Sequence, residues 1–281
     1  MIFWAKFSKM SHLGLSDAWG STSAAVNKLF TKSRSGYMER KVGKYRVYQV
    51  TRDGPLYKQT VEVIARGECG TSKTAPDPLL DWVYTKRTDG ICKPLPEDPS
   101  EHRLNWFRFL AAFMVDFGVK RRGSYALVDP ESRRVVAAAV TAPPKTVHNP
   151  VLTCHQTDLR RAGMGMAVEV LTHPRMKGLG AWQHHVQEKL SFGNNFLEVM
   201  IFATAPELQG RGLGSALLGF LGEIADTDGV PCLLETAGKR NTTFYAKKGG
   251  YKEYARLPVG SFTHDGGGVG MVRPANKKPT R

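Results

Sequence analysis

The stretch Ala205-Pro206-Glu207-Leu208-Gln209-Gly210-Arg211-Gly212-Leu213-Gly214-Ser215 decides how the surrounding chain folds. Before it, Phe196-Leu197-Glu198-Val199-Met200-Ile201-Phe202-Ala203 is a largely apolar run of strand length, suited to a central strand buried on both faces. After it, Leu213, Leu217, Phe220, Leu221 and Ile224 form one apolar stripe, which predicts a helix over about 212–226 beginning inside the glycine run. Three glycines in five residues let main-chain N–H groups approach a ligand without side-chain obstruction. The unpaired N–H groups of a first helical turn, at the positive end of the helix dipole, make an anion site. Arg211 adds a fixed positive charge. Strand, loop and helix together read as a pyrophosphate cradle. No Lys follows Gly214, so the nucleotide P-loop pattern is missing, and the glycines are wrongly spaced for a dinucleotide fingerprint. A glycine-rich turn with no ligand is the bland alternative.

Working outward, Tyr45-Arg46-Val47-Tyr48-Gln49-Val50 reads as a strand, and Asp53-Gly54-Pro55 turns it into a helix over about 56–66. Gly67 to Pro78 and Asp89 to Ser100 read as loops. Leu79 to Tyr84 and His102 to Phe117 look helical, the latter with Leu104, Phe107, Leu110, Ala111, Met114 and Val115 at three- and four-residue steps. Ser124–Val128 and Arg134–Thr141, separated by a short Asp-Pro turn, form an antiparallel hairpin. Helices are expected over about 158–171 and 178–190. Beyond the glycine loop the pattern alternates: strand 231–236, helix about 241–248, strand 251–257 and a last strand near 269–273. The fold class is α/β with a mixed sheet.

The 281 residues carry a net charge of +15, which suggests nucleic acid until it is divided along the chain. Residues 1–43 hold +5 and Arg273 to Arg281 hold +4, leaving +6 for 44–272. A moderately basic core suits a polyanionic cofactor as well as nucleic acid, and no recognisable DNA- or RNA-binding motif is present. Residues 1–43 read as a basic leader, compatible with an organelle transit peptide and equally with an untargeted segment; 275–281 form a basic tail. No run of about 18 apolar residues predicts a membrane span. Cys69, Cys92, Cys154 and Cys232 are scattered, form no CxxC pair, and read as reduced intracellular thiols, placing the chain in the cytoplasm or in an organelle. His148, His155, His173 and His184-His185 contain no tight ligand motif, so no metal is expected. Arg133-Arg134 and Arg160-Arg161 read as solvated faces.

The glycine loop resembles the hallmark of the GNAT superfamily of N-acetyltransferases, Arg/Gln-x-x-Gly-x-Gly/Ala, matched by Gln209, Gly212 and Gly214. Downstream, Pro231-Cys232-Leu233-Leu234-Glu235-Thr236 is similar to the family's fifth strand. Asn241-Thr242-Thr243-Phe244-Tyr245 with Lys248-Gly249-Gly250-Tyr251 is similar to its Asn-x-x-Phe-Tyr…Gly-Phe/Tyr segment. The resemblance spans roughly residues 44–274 and is densest over 196–254, where several motifs occur in order. It implies a mostly antiparallel sheet, flanked by helices, with a V-shaped splay between the family's fourth and fifth strands. It also implies acetyl-CoA as cosubstrate: backbone amides across Gln209, Gly210, Arg211, Gly212, Leu213 and Gly214 on the pyrophosphate, Ser215 assisting, the strand end Phe202-Ala203-Thr204 along the pantetheine arm, and Asn241 on its side.

Transfer to an amine needs a base for the ammonium proton and an acid for the departing thiolate. Glu198 is the candidate base, a carboxylate inside an apolar strand where burial raises its pKa, eleven residues before Gln209 as in some histone-modifying members. Pairing with a nearby cation, with ordered water as base, is the alternative. Tyr245 is the candidate acid, and a strand N–H would polarise the carbonyl. The expected function is transfer of an acetyl group to a primary amine; polyamines, amino sugars, amino acids and protein amines all fit, and the oligomeric state stays open. A non-catalytic acyl-CoA sensor on the same fold is the alternative.

Overall fold

The computed structural model describes residues 31–32, 38–85, 93–145, 173–189, 193 and 195–276. Among the described residues nine strands form one sheet: β1 (Thr31–Lys32), β2 (Met38–Val42), β3 (Tyr45–Gln49), β4 (Ser124–Val128), β5 (Val135–Ala142), β6 (Leu197–Thr204), β7 (Cys232–Ala237), β8 (Lys252–Leu257) and β9 (Gly268–Arg273). Their spatial order is β1-β2-β3-β4-β5-β6-β7-β9-β8. Every neighbouring pair is antiparallel except β6–β7. The helices are α1 (Leu56–Cys69), α2 (Pro78–Thr85), α3 (Glu101–Lys120), α4 (Pro174–Glu188), α5 (Leu213–Asp228) and α6 (Lys239–Gly249).

Two apolar layers sandwich the sheet. α1, α2, α3 and α4 pack on one face through Ile64, Trp82, Phe107, Leu110 and Val186; α5 packs on the other through Leu217, Phe220, Leu221 and Ile224. β5 is buried along its whole length, and its Ala137-Ala138-Ala139 run lets α1 and α5 come close from opposite sides. α3 starts where the Ser100 side chain accepts from Arg103 N at 3.2 Å, and α5 stops at the left-handed Gly229.

The fold departs from the expected boundaries at β2 and at the end of α1. β2 pairs with β3 from Glu39↔Tyr48 to Val42↔Tyr45, although residues 38–43 read as part of the leader. Its sequence, Met-Glu-Arg-Lys-Val, is charged because it lies near the sheet edge, so it carries no apolar signal. Arg40 ties it to Glu223 of α5 at 2.7 Å. α1 runs on to Cys69 through Gly67, which reads as a loop residue. A Cβ there would stand 2.8 Å from Ala203 Cβ, so the glycine serves close helix–strand approach. The expected helix over 158–171, with Cys154, His148, His155 and Arg160-Arg161, lies outside the described residues, as do Cys92, residues 1–30 and the end of the basic tail.

The opening that matters lies between β6 and β7. They pair only at Leu197↔Cys232, Glu198↔Leu233 and Val199↔Leu234, and then part, while β6 stays bonded to β5 out to Thr204. At the parting point the β5–β6 register shifts, with Val140 opposite Ile201 and Thr141 opposite Val199. Met200 is therefore an extra residue, a β-bulge, which reverses the side-chain alternation beyond it. Leu197 and Val199 pack toward α5, whereas Ile201 and Ala203 pack toward α1 and α3. Phe202 and Thr204 consequently face α5 and α6.

Candidate active site

The glycine loop owes its shape to two residues. Gly210 and Gly212 have φ of +79° and +80°, and Gly212 is the left-handed cap of α5. A Cβ on either would meet nothing within 4 Å, so the loop surface is open. Gly214 has another reason: its Cβ would lie 3.2 Å from the Phe244 ring and 3.3 Å from Thr204 Oγ1, so it lets α5 seat against β6 and α6. Among the described residues, the N–H groups of 210–215 donate to no backbone carbonyl, and Ala216 is the first to do so, to Gly212 O at 3.0 Å. Gln209 differs: its N–H points back to Pro206 O at 3.4 Å, and its Oε1 accepts from Arg240 Nη2 at 2.9 Å. The loop thus presents a row of main-chain donors at a helix N-terminus, which is anion-binding geometry.

The loop closes one end of a cleft of about 900 Å³ that runs through the β6–β7 opening. Phe202, Ala203, Thr204, Gln209, Gly210, Gly212, Leu213, Gly214, Ser215, Asn241 and Tyr245, all singled out from sequence, line it together. Arg211 does not; it is exposed, and the cations at the cleft are Arg240 and Lys248. An arginine between two left-handed glycines is carried outward by the turn.

Glu198, expected as the base, does not line the cleft either. It is 2% exposed, accepts from Gln187 Nε2 of α4 at 3.0 Å, and hydrogen-bonds the carboxyl of Glu235. Burial pushes its pKa up to about 8, and two carboxyls in hydrogen-bond contact, Glu198 buried and Glu235 half-buried, hold a proton between them. Glu235 is the member that reaches the cleft, with Oε2 accepting from Gln183 Nε2 at 3.3 Å.

Two further acids at the cleft escaped the sequence reading. Asp77 caps α2, its Oδ1 accepting from Leu79 N and Leu80 N, each at 3.0 Å, while Asn241 Nδ2 stands 3.5 Å from Oδ2. Burial lifts its pKa to about 6 against the pull of those backbone donors. Glu68, at the end of α1, is pushed well above the carboxylate range by burial and then by the Asp77 charge. Asp77-Pro78 is a helix-start signal in sequence; nothing local marks Glu68.

Tyr245 stacks edge-on against Phe202, Phe244 and Tyr251. Burial, followed by the charges of Glu68 and Asp77, raises its pKa, so the phenol stays protonated. His173 caps α4, and the exposed His184 faces Glu188 at 3.4 Å.

No family model matches the sequence, and no curated protein is similar to it. Solved structures do match. Arylalkylamine N-acetyltransferase 2 from Aedes aegypti superposes with a TM-score of 0.53 at 12% identity, over 83% of this chain and 100% of that one. The fold is that of the GNAT acetyltransferases. The C-terminal condensation domain of Ebony, in complex with beta-alanyl-dopamine, matches with 0.52 at 13% identity, over 82% and 99%. An agmatine N-acetyltransferase matches with 0.50 at 17%, again over 82% and 99%. In this GNAT fold the parted strands and the glycine loop occur together, as the sequence motifs imply.

Proposed function

We propose that the protein is an N-acetyltransferase that moves the acetyl group of acetyl-CoA directly to a primary amine. The observation that carries this is the row of N–H groups at residues 210–215, without backbone partners among the described residues, opening onto the gap between β6 and β7. A diphosphate fits that row, since the loop is open above Gly210 and Gly212, Arg240 reaches Gln209 at 2.9 Å, and Lys248 lines the same cleft. The β6 edge beyond Val199, left by β7, offers main-chain groups to the pantetheine amides as an added strand would. Acetyl-CoA supplies an activated acyl group as its thioester.

The rest is done by this chain. Asp77 lines the cleft with a pKa of about 6, so at neutral pH it is mostly carboxylate and takes the ammonium proton. The amine nitrogen bonds to the acyl carbon as the carbon–sulfur bond breaks. Tyr245 gives its proton to the departing sulfur, and the second proton that the nitrogen sheds on becoming an amide restores the phenol. The Met200 bulge turns the β6 backbone at the parting of the strands, where an N–H would polarise the carbonyl. Similarity to enzymes named for arylalkylamines and agmatine supports an amine acceptor. The test is thiol release from acetyl-CoA by the purified chain with a panel of primary amines. Release with at least one amine is expected; tight CoA binding with no release from any amine would instead identify an acyl-CoA sensor.

A further inference from the structure

Glu68 is 8% exposed and lines the cleft, and among the described residues its carboxyl makes no hydrogen bond and no ion pair. A buried acid without a partner is costly, and it is kept where its partner arrives with a ligand. Its position is fixed from two sides. Gly67 brings α1 against Ala203 and Thr204 at the open end of β6, and Glu68 O accepts from Asp77 N at 3.0 Å. Glu68 and Asp77 are thereby tied side by side, both acting on Tyr245. The same cleft is lined by apolar side chains of three helices, Leu79 and Leu80 of α2, Phe113 and Met114 of α3, Met176 and Leu179 of α4, beside the polar Gln183, His184 and Gln187.

We propose that Glu68 is the ammonium-binding carboxylate of the acceptor site, holding an amine with an apolar body as its counter-ion before Asp77 removes a proton. This rests on the acetyltransferase reading above. Its chemistry follows from the neighbours. Asp81 and Arg103 neutralise each other at 2.8 Å, and Glu198 and Glu235 share a hydrogen bond, so the charge acting on Glu68 is that of Asp77. Burial and that charge keep Glu68 protonated; an arriving alkylammonium replaces the carboxyl proton, which leaves to solvent.

The experiment is calorimetric titration of n-hexylamine into the CoA-loaded protein, where no acetyl group is present, in two buffers of different ionisation enthalpy. Wild type is expected to bind hexylamine with release of up to about one proton per site. Glu68→Gln is expected to bind it roughly 10–100-fold more weakly without that release, and Glu68→Asp to recover part of both. Hexanol, with the same tail and no charge, should bind all three alike. With acetyl-CoA present, Glu68→Gln should raise KM for hexylamine and leave kcat within about threefold. Equal hexylamine affinity in wild type and Glu68→Gln, or no hexylamine binding to wild type, overturns the assignment. CoA affinity on the same samples separates the two readings: a wild type that does not bind CoA refutes the function as well, whereas one that binds CoA and ignores Glu68 refutes Glu68 alone.

Discussion

The glycine-loop end of the cleft and its carboxyl end are built from different material. The first uses main-chain N–H groups of one contiguous segment, 210–215, set by two left-handed glycines. The second uses carboxyls that the fold collects from α1, the cap of α2 and β7: Glu68, Asp77 and Glu235. A backbone device is tied to local sequence and tolerates few side chains, whereas a carboxyl site is an accident of packing until the chain has folded. Substitutions at the two ends should therefore fail in different ways.

The largest effect is expected from Gly212→Glu. A side chain at φ +80° is strained, and a carboxylate there opposes a diphosphate on the same amides. CoA affinity by calorimetry should fall by more than about 100-fold. Normal CoA binding by a folded Gly212→Glu protein would remove the phosphate site and the function with it.

That asymmetry also sets what could be read from sequence. The strand, glycine loop and helix around 196–226 were legible because burial, φ > 0 and an apolar stripe leave local marks, and the parting of β6 from β7 followed from the family resemblance. Arg211 and Glu198 do not line the cleft for reasons that local sequence does not carry: the direction of the Arg211 side chain depends on the turn, and the depth of Glu198 on α4, whose Gln187 hydrogen-bonds it. Glu68 carries no local signal: it falls in the Gly67–Pro78 stretch that reads as a loop, and its burial comes from α1 running on to Cys69 and packing against β6 at Gly67. β2 reads as leader because a charged strand one place in from the sheet edge has no apolar periodicity.

At the carboxyl end the next largest effect is expected from Asp77→Asn. The amide keeps an oxygen for Leu79 N and Leu80 N but accepts no proton, so kcat should drop by roughly 10²–10⁴-fold with CoA affinity unchanged. In wild type, kcat/KM should fall as pH drops through about 6, where the base becomes protonated. A limb near 8 instead would point to the Glu198–Glu235 pair.

Tyr245→Phe should cost less, roughly 10–100-fold in kcat, because a thiolate is a fair leaving group unaided. The ring contacts with Phe202, Phe244 and Tyr251 survive, so thermal stability should barely change. An unchanged kcat would make Tyr245 a packing residue.

The smallest catalytic effect is expected from Glu198→Gln, and there the two ends are compared most sharply. Glu198 stands behind Glu235 and away from the cleft, and Gln can still donate to Glu235, so kcat should change by no more than about threefold. A loss of roughly 10²-fold or more would return the base to Glu198. Stability should respond instead. The folded pKa, about 8, lies above the ordinary 4.5, so the contribution is fully present below about 4.5 and is lost as pH rises through about 8. Wild type and Glu198→Gln should therefore melt alike near pH 4.5, and the variant should melt higher at pH 8.5. A variant that melted lower at both pH values would mean that Glu198 is held as a carboxylate, and that no proton lies between it and Glu235.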